Sequence, residues 1–240
     1  MDGVTLITGS TSGIGKAIYE NLSTDSICLC IDRNQNRLEK LTNNSDNQYF
    51  ICDLRFDENI VSLFNYCNAS NIKIRSLIHC AGLSPISDYA EMTQKEMDET
   101  FQVNVFAFAK LCQCLFDYPQ KCEPAHVIAI SSIAADRASG RQAIYASSKS
   151  ALNSFVLAAA QEGIKYGIRV NALSLGAVDT PMLNRMKTSE SFMSNIERHY
   201  PLGVMKPKTV AEIVRAMLSD RFNNMTGSIL KVDSGFSVVH

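Results

Sequence analysis

Residues 4–15 read VTLITGSTSGIG, and this stretch decides the fold. Its first five residues form an apolar run that predicts a buried strand, and the glycines that follow are spaced as in a turn leading into a helix. Gly9 permits a tight turn, Gly13 lets the backbone approach a pyrophosphate, and Gly15 allows a helix to pack closely on a strand. An ordinary strand-to-helix turn also needs glycine. The position before a predicted helix, whose first N–H groups bind anions, favours a phosphate site.

The rest of the chain repeats this alternation of strand and helix. Strands are predicted at residues 4–8, 27–31, 49–52, 76–79, 125–131, 169–174 and 228–232, and helices at 14–22, 58–69, 94–117, 143–166 and 209–219. Several runs, such as ICLCI at 27–31, are apolar throughout, as in strands that helices cover on both faces. The sequence therefore predicts an α/β fold: a doubly wound parallel β-sheet of about seven strands with helices on both faces.

The composition is that of an ordinary globular protein of 240 residues, with 46% hydrophobic residues and a net charge of -1. No linker, charge block or repeat divides the chain, so we expect one domain over residues 1–240. The polar stretch at 181–201 is expected to form a substrate loop or lid. The charge balance gives no reason to expect nucleic acid or a membrane as a partner. Without a signal peptide or an apolar run near the ~20 residues of a membrane span, we expect a soluble, cytoplasmic protein.

The eight cysteines all lie between Cys28 and Cys122. The close pairs have one intervening residue, whereas zinc knuckles have two to four. We therefore expect no metal site, and reduced cysteines that act as small apolar core residues in a reducing compartment.

An acidic residue follows the second predicted strand. Asp32 lies 17 residues beyond Gly15, where a carboxylate accepts hydrogen bonds from adenosine ribose hydroxyls and repels a 2′-phosphate, which favours NAD over NADP. Arg33 and Arg37 are close enough to serve a phosphate if Asp32 turns away, so NADP stays possible. Asp53, which we expect to close the third strand, is a candidate adenine contact or, equally, the N-cap of the following helix.

Three polar residues in the second half of the chain suggest acid-base chemistry. Tyr145 and Lys149 are four residues apart on a predicted helix, so their side chains share one face. Lowering a tyrosine pKa from ~10 to near neutrality requires about 4 kcal/mol, which a lysine and a positively charged nicotinamide ring together can supply. Ser132, 13 residues before Tyr145 at the end of a predicted strand, would polarise a substrate oxygen. A Tyr-x-x-x-Lys pair alone is a common accident, but its place downstream of the glycine turn and Ser132 favours catalysis.

With its motifs in this order, the whole chain resembles the short-chain dehydrogenase/reductase family of single-domain Rossmann-fold enzymes. Residues 8–15 match the family's Thr-Gly-x-x-x-Gly-x-Gly motif, and HCAG at 79–82 matches its Asn-Asn-Ala-Gly. Asn104 matches its helical active-site Asn, and residues 132 and 145–149 match its Ser and Tyr-x-x-x-Lys. The segment NALSLGAVDT at 171–180 resembles the family's Asn-x-x-x-Pro-Gly-x-(Val/Ile)-x-Thr.

The resemblance implies a role for each catalytic residue. Tyr145 is the acid-base residue, Lys149 also binds the nicotinamide ribose, and Ser132 orients the substrate. Asn104 anchors a water in a proton relay from Lys149 to solvent. From the residues alone, Asn104 is a polar residue that satisfies an irregular helix, which is compatible with that role.

The resemblance also implies the cofactor contacts. Val178 and Thr180 would meet the nicotinamide carboxamide, although Thr180 is also a natural N-cap before a proline. The residues expected to bind the cofactor are Gly9, Ser10, Ser12, Gly13, Ile14, Gly15, Asp32, Arg33, Asp53, Leu54, Cys80, Ala81, Gly82, Tyr145, Lys149, Gly176, Val178 and Thr180.

Three departures from the family pattern stand out: Cys80 replaces an Asn, Leu175 the usual Pro, and Ser234 a Gly in the final Val-Asp-Gly-Gly-like segment. None removes a reacting group. Because Leu175 has a backbone N–H and a free φ angle, we expect a more mobile nicotinamide loop. The departures therefore bear mainly on cofactor affinity.

The substrate pocket is expected between residues 83–86, 134–141 and 183–200. The last segment carries Arg185, Lys187, Arg198 and His199, which could meet a carboxylate or phosphate or simply form a solvated surface. No acidic or histidine cluster accompanies His199, which argues against a metal or catalytic role.

The sequence thus predicts an oxidoreductase that transfers a hydride between NAD(H) and a secondary alcohol or ketone. If the cofactor is NADPH instead, the protein is a ketoreductase. The alternative outside the enzymes is a catalytically silent NAD(P)-binding sensor or scaffold. An epimerase or dehydratase would need a larger C-terminal substrate domain. By resemblance, the long helices at 94–117 and 143–166 pack across a two-fold axis, so a homodimer or homotetramer is expected.

Overall fold

A computed structural model describes residues 3–43, 46–185 and 198–239 of the chain. Its seven strands are β1 Val4–Thr8, β2 Ile27–Asp32, β3 Gln48–Ile51, β4 Ile74–His79, β5 Lys121–Ser132, β6 Ile168–Leu175 and β7 Ile229–Val232. The α-helices are α1 Gly13–Leu22, α2 Gln35–Thr42, α3 Asp57–Ala69, α4 Gln94–Phe101, α5 Ala107–Phe116, α6 Ala143–Gly163, α7 Pro181–Asn184, α8 Pro207–Met217 and α9 Phe236–Val239.

The strands form one parallel sheet in the order β3-β2-β1-β4-β5-β6-β7. The chain builds outward from β1 to β3, then returns and continues on the other side of β1 with β4. This reversal opens a crevice beyond the carboxyl ends of β1 and β4, which is where doubly wound sheets bind ligands. The predicted fold, a Rossmann-type doubly wound sheet, is confirmed.

Hydrophobic side chains cover both faces of the sheet. Leu6 and Leu77 belong to one buried cluster, with α3, α5 and α6, whereas Ile7 and Ile78 belong to the other, with α1 and α8. Neighbouring residues of a strand thus enter opposite cores, which explains why the strands are apolar throughout. The two cores fix the carboxyl ends of the strands, where the candidate site lies.

Apart from the short helices α7 and α9, which were not predicted, three differences from the predicted segments stand out. The helix α2 was missed because its sequence, QNRLEKLT, buries only Leu38 and Thr42 and so has almost no apolar periodicity. The predicted helix at 94–117 is two α-helices joined by a π-helical turn at Gln102–Phe106. The third strand ends at Ile51, so the prediction that Asp53 closes it was wrong.

All eight cysteines are free, and most are buried, as expected of small apolar core residues. Within the residues that the structure describes, no helix is long and apolar enough to cross a membrane.

Candidate active site

One cavity of about 570 Å³ lies beyond the carboxyl ends of the central strands. Ser132 ends β5, while Tyr145 and Lys149 lie on α6, and all three line the cavity. Ile14 of the glycine turn and Thr180 beyond β6 also line it. The structure therefore brings three of the four predicted catalytic residues and part of the predicted cofactor turn to one place.

Ser132 and Tyr145 are coupled by a hydrogen bond between their hydroxyl groups. Burial raises the pKa of Tyr145, and this hydrogen bond partly opposes the rise. The Ser132 hydroxyl oxygen also accepts a hydrogen bond from the backbone N–H of Ala134 at 3.1 Å, which fixes its direction. A hydroxyl pair held in this way can bind one substrate oxygen from two sides.

Lys149 is almost completely buried, with 4% of its surface exposed. Its ammonium nitrogen donates to the carbonyl oxygen of Ile130 at 2.8 Å and lies 5.8 Å from the centre of the Tyr145 ring. Burial lowers the pKa of Lys149 to about 8. The expected lowering of the Tyr145 pKa by Lys149 stays a prediction.

Asn104 lies inside the π-helical turn and is fully buried. Its amide nitrogen donates to the carbonyl of Leu83 and to the hydroxyl of Ser148, both at 2.9 Å, and its amide oxygen accepts from the N–H of Leu83 at 2.7 Å. Ser148 in turn donates to the carbonyl of Tyr145 at 2.7 Å. The side chain thus ties the segment after β4 to α6. Asn104 does lie in an irregular helix, but its amide binds Leu83 and Ser148 and not the backbone of the π-helical turn, and its catalytic role stays a prediction.

The glycine turn has the shape that a pyrophosphate needs. Gly9 and Gly13 have φ angles of 64° and 51°, in the left-handed region. A Cβ atom on Gly9 would lie 2.9 Å from the backbone of Ala81, and one on Gly15 would collide with the backbone of Gly9. The first turn of α1 carries no acidic side chain that would repel a phosphate from its N–H groups. The residues present therefore fit the phosphates of a dinucleotide.

Asp32 faces this turn. Its carboxylate accepts from the hydroxyl of Thr11 at 2.7 Å and from the N–H of Asn34 at 3.1 Å. Arg33 and Arg37 are exposed to solvent. The sequence reasoning missed Thr11, because its partner is 21 residues away.

Asp53 is held by an arginine and does not cap a helix. Arg55 donates to both of its carboxylate oxygens, the shortest contact being 2.7 Å, and also pairs with Glu99 at 3.3 Å. These hydrogen bonds with Arg55 lower the pKa of Asp53. The helix α3 begins at Asp57 with Phe56 as its N-cap, so the alternative that Asp53 is an N-cap was wrong.

Residues after β6 form the predicted nicotinamide loop. The hydroxyl of Thr180 accepts from the N–H of Leu183 at 3.3 Å, so its predicted role as N-cap of α7 is confirmed. A Cβ on Gly13 would lie 3.4 Å from the Thr180 side chain, which places this loop beside the glycine turn. Val178 pairs with Met205 as an isolated bridge.

Leu175, Cys80 and Ser234, the departures from the family pattern noted above, take different positions. Leu175 is the last residue of β6, pairs with Ser132 and Val232, and is buried. Cys80 lines the cavity. Ser234 has a φ angle of 53°, where a glycine would be unstrained.

For the other predicted cofactor contacts, the structure gives mainly the burial of the residue. Ser10 and Leu54 are buried, so their contribution would come from the backbone. Ser12 is exposed at the N-cap of α1 and makes no capping hydrogen bond with its side chain. Ala81 and Gly82 are half-buried, and Gly82 lies beside Asn104 and Lys149.

The substrate side of the cavity has walls from all three predicted segments. The lining residues include Ser84, Ile86, Ala134, Arg137, Arg141, Leu183, His199 and Tyr200. The structure adds Met182 and Phe236, and the Phe236 ring lies 5.0 Å from that of Tyr200. Phe236 was missed because only the fold brings the C-terminal helix α9 to this cavity.

Part of the predicted loop at 181–201, including Lys187, lies outside the described residues. Arg185 and Arg198 are exposed and do not line the cavity. Among residues 3–43, 46–185 and 198–239, no group of histidine, cysteine, aspartate and glutamate side chains could hold a metal ion.

Comparison with known proteins identifies the family. A family model described as enoyl-(acyl carrier protein) reductase matches residues 9–237. An uncharacterized oxidoreductase of Bacillus subtilis is 28% identical over 98% of this chain and 99% of its own. An acetoacetyl-CoA reductase of Acinetobacter is 25% identical over 97% of this chain and 96% of its own.

A solved structure has the same fold. The 4-hydroxyisoleucine dehydrogenase complexed with NADH superposes with a TM-score of 0.90 at 23% identity, over 99% of both chains. Fold, motif order and relatives agree over nearly the whole length. The chain belongs to the short-chain dehydrogenase/reductase family and is an NAD(P)-dependent oxidoreductase.

Proposed function

We propose that the protein transfers a hydride between NAD(H) and a secondary alcohol or ketone, with Tyr145 as the acid-base residue. The observation that carries this proposal is the shared cavity: the hydrogen-bonded Ser132 and Tyr145 and the buried Lys149 line the same space as the nicotinamide loop. A cavity-lining cysteine, Cys80, is a poor competing nucleophile, because burial raises its pKa to about 12.

In the direction of reduction, Ser132 and Tyr145 bind the carbonyl oxygen and polarise it. The bound dinucleotide supplies the hydride that the carbonyl carbon accepts. Tyr145 gives its proton to the oxygen, and in oxidation it takes the proton back. Tyr145 is half-buried in the cavity wall, where these hydrogen bonds are screened less than in bulk water.

Lys149 stabilises the phenolate that Tyr145 becomes after proton transfer. Its charge is buried near the ring, where little water screens it. A Cβ on Gly82 would lie 3.4 Å from the amide oxygen of Asn104 and 3.7 Å from the nitrogen of Lys149. The absence of a side chain there leaves space for the water that we assign to Asn104 in a relay to solvent.

We favour NAD over NADP as the cofactor. The carboxylate of Asp32 faces the glycine turn through Thr11, where it can accept from ribose hydroxyls and would repel a 2′-phosphate. Arg33 and Arg37 keep NADP as the alternative. The remaining contacts of the cofactor are those proposed from the family motifs, with Asp53 at the adenine, Val178 and Thr180 at the carboxamide, and Tyr145 and Lys149 at the nicotinamide ribose.

We also propose that residues 1–240 act as one domain in a cytoplasmic homodimer or homotetramer. Phe106, Phe155 and Leu157 are large apolar side chains that are 40% to 50% exposed on the π-helical turn and α6. These are the helices expected to pack across a two-fold axis, and apolar exposure of this kind favours an interface.

The test is a panel of secondary alcohols and ketones, offered with NAD(H) and NADP(H) in parallel while nicotinamide absorbance is followed. Tyr145→Phe keeps the ring but removes the proton that is transferred, so turnover should fall by roughly a thousandfold. Near-normal turnover of this variant would refute the assignment of Tyr145. Cofactor binding without turnover on any substrate would favour the silent sensor instead.

A further inference from the structure

His79, the last residue of β4, connects two segments that are distant in sequence. Its ring is completely buried. Nδ1 lies 3.1 Å from the hydroxyl of Thr8, which begins the glycine turn, and Nε2 lies 3.2 Å from the carbonyl oxygen of Val103 in the π-helical turn. One side chain therefore spans from the phosphate site to the residue before Asn104.

The hydrogen-bond partners determine the protonation of this ring. The Thr8 hydroxyl oxygen accepts from the N–H groups of Cys80 and Ala81 at 3.1 and 3.2 Å, so its proton is free to go to Nδ1 of His79. Nε2 must then carry the hydrogen that is donated to Val103, because a carbonyl oxygen only accepts. Burial, with Lys149 nearby, lowers the pKa of His79 to about 3, in agreement with a neutral ring.

The contacts of His79 continue into the catalytic helix. Val103 precedes Asn104, whose amide binds Ser148, and Ser148 binds the carbonyl of Tyr145. A buried series of hydrogen bonds and one peptide link thus runs from Thr8 to the backbone of the proposed acid-base residue. Such networks fix geometry when every member has a partner.

We propose that His79 is a positioning residue whose two ring nitrogens hold the glycine turn and the π-helical turn in alignment, Nδ1 serving cofactor affinity and Nε2 serving Asn104. The catalytic consequence rests on the function proposed above. The mechanical link itself does not depend on that function.

Two substitutions of His79 test its two hydrogen bonds separately. The amide oxygen of Asn occupies nearly the position of Nδ1, so His79→Asn keeps the contact with Thr8 and loses the one with Val103. The amide nitrogen of Gln reaches nearly the position of Nε2, so His79→Gln keeps Val103 and loses Thr8. Ile78→Val is the control, because this buried neighbour on β4 has a hydrocarbon side chain and belongs to the opposite core.

The readouts are the dissociation constant of NADH, from fluorescence titration, and amide hydrogen exchange of the cofactor-free protein. For His79→Asn we expect NADH affinity within about twofold of wild type, and exchange at 102–106 faster by roughly fivefold. For His79→Gln we expect unchanged exchange there and NADH affinity weaker by roughly fivefold. Ile78→Val should change neither observable selectively.

The proposal is wrong if the two variants behave alike, or if they lower the melting temperature while both observables follow the control. Exchange is measured without cofactor, so it decides the link even if the wild-type protein fails to bind NADH. That failure would count against the proposed function and not against the link.

Discussion

Charged side chains are placed differently at the two ends of the proposed cofactor site. At the nicotinamide end, Lys149 is buried and its ammonium group is bound by a backbone carbonyl. At the adenine end, Asp53 and Arg55 are partly exposed and pair with each other. A buried charge acts strongly on its neighbours, whereas exposed pairs contribute little energy. We therefore assign the proposed chemistry to the nicotinamide end and the proposed cofactor selection to the adenine end.

The largest effect should come from removing the buried charge. Lys149→Met keeps the length of the side chain but leaves the Tyr145 phenolate without a cation, so kcat should fall by roughly a thousandfold. Steady-state kinetics with the best substrate of the panel measures this. The control is Lys165→Met, which removes an exposed lysine beyond α6. Equal kcat values for the two variants would show that the buried charge of Lys149 has no special role in catalysis.

The buried charge of Lys149 should also make the free energy of unfolding depend on pH. The pKa of Lys149 is about 8 when folded and 10.5 ordinarily, so the unfolded chain binds more protons between these values and stability rises with pH there. Below pH 8, keeping Lys149 charged in the folded protein lowers the free energy of unfolding by its full amount, about 3 kcal/mol. Denaturant unfolding at pH 7.5 and pH 10 should show this rise in wild type and Lys165→Met, but not in Lys149→Met. An identical pH dependence in all three would contradict the buried charge.

At the adenine end, Asp32→Ser should change selectivity and not chemistry. Losing a charged acceptor for the ribose hydroxyls should weaken NADH binding by about tenfold, and losing the repulsion should improve NADPH binding. The ratio of kcat/KM for the two cofactors measures the effect. Asp117→Ser removes a carboxylate outside the cavity and should leave the ratio unchanged. An unchanged ratio in Asp32→Ser would show that the carboxylate does not select the cofactor.

The smallest effect is expected between the two ends, at the nicotinamide loop. Leu175→Pro restricts φ and should tighten NADH binding by about twofold. The gain stays small because Leu175 is already paired in the sheet and buried. Fluorescence titration gives the dissociation constant, and an unchanged or weaker affinity would argue against a mobile loop.

Much of this comparison was predictable from sequence where the signal is local. The glycine turn, Ser132 at a strand end and the spacing of Tyr145 and Lys149 all follow from short patterns. The π-helical turn at 102–106 leaves no such pattern, because its apolar residues continue the helical period.

Contacts made across the fold were not predictable. Thr11 meets Asp32, His79 meets Val103, and Phe236 reaches the cavity only because distant segments come together. Asp53 was misplaced because the residue at which a strand ends leaves no clear local pattern: β3 ends at Ile51, and Asp53 pairs with Arg55 in the loop that follows.

The most direct test follows the hydride itself. Wild-type protein is given NADH deuterated at both C4 positions and the ketone panel, and the alcohol products are examined by mass spectrometry. The account predicts one deuterium at the former carbonyl carbon, and almost none when Tyr145→Phe replaces wild type. Bound NADH with no deuterium in any product, or equal incorporation by Tyr145→Phe, would contradict it.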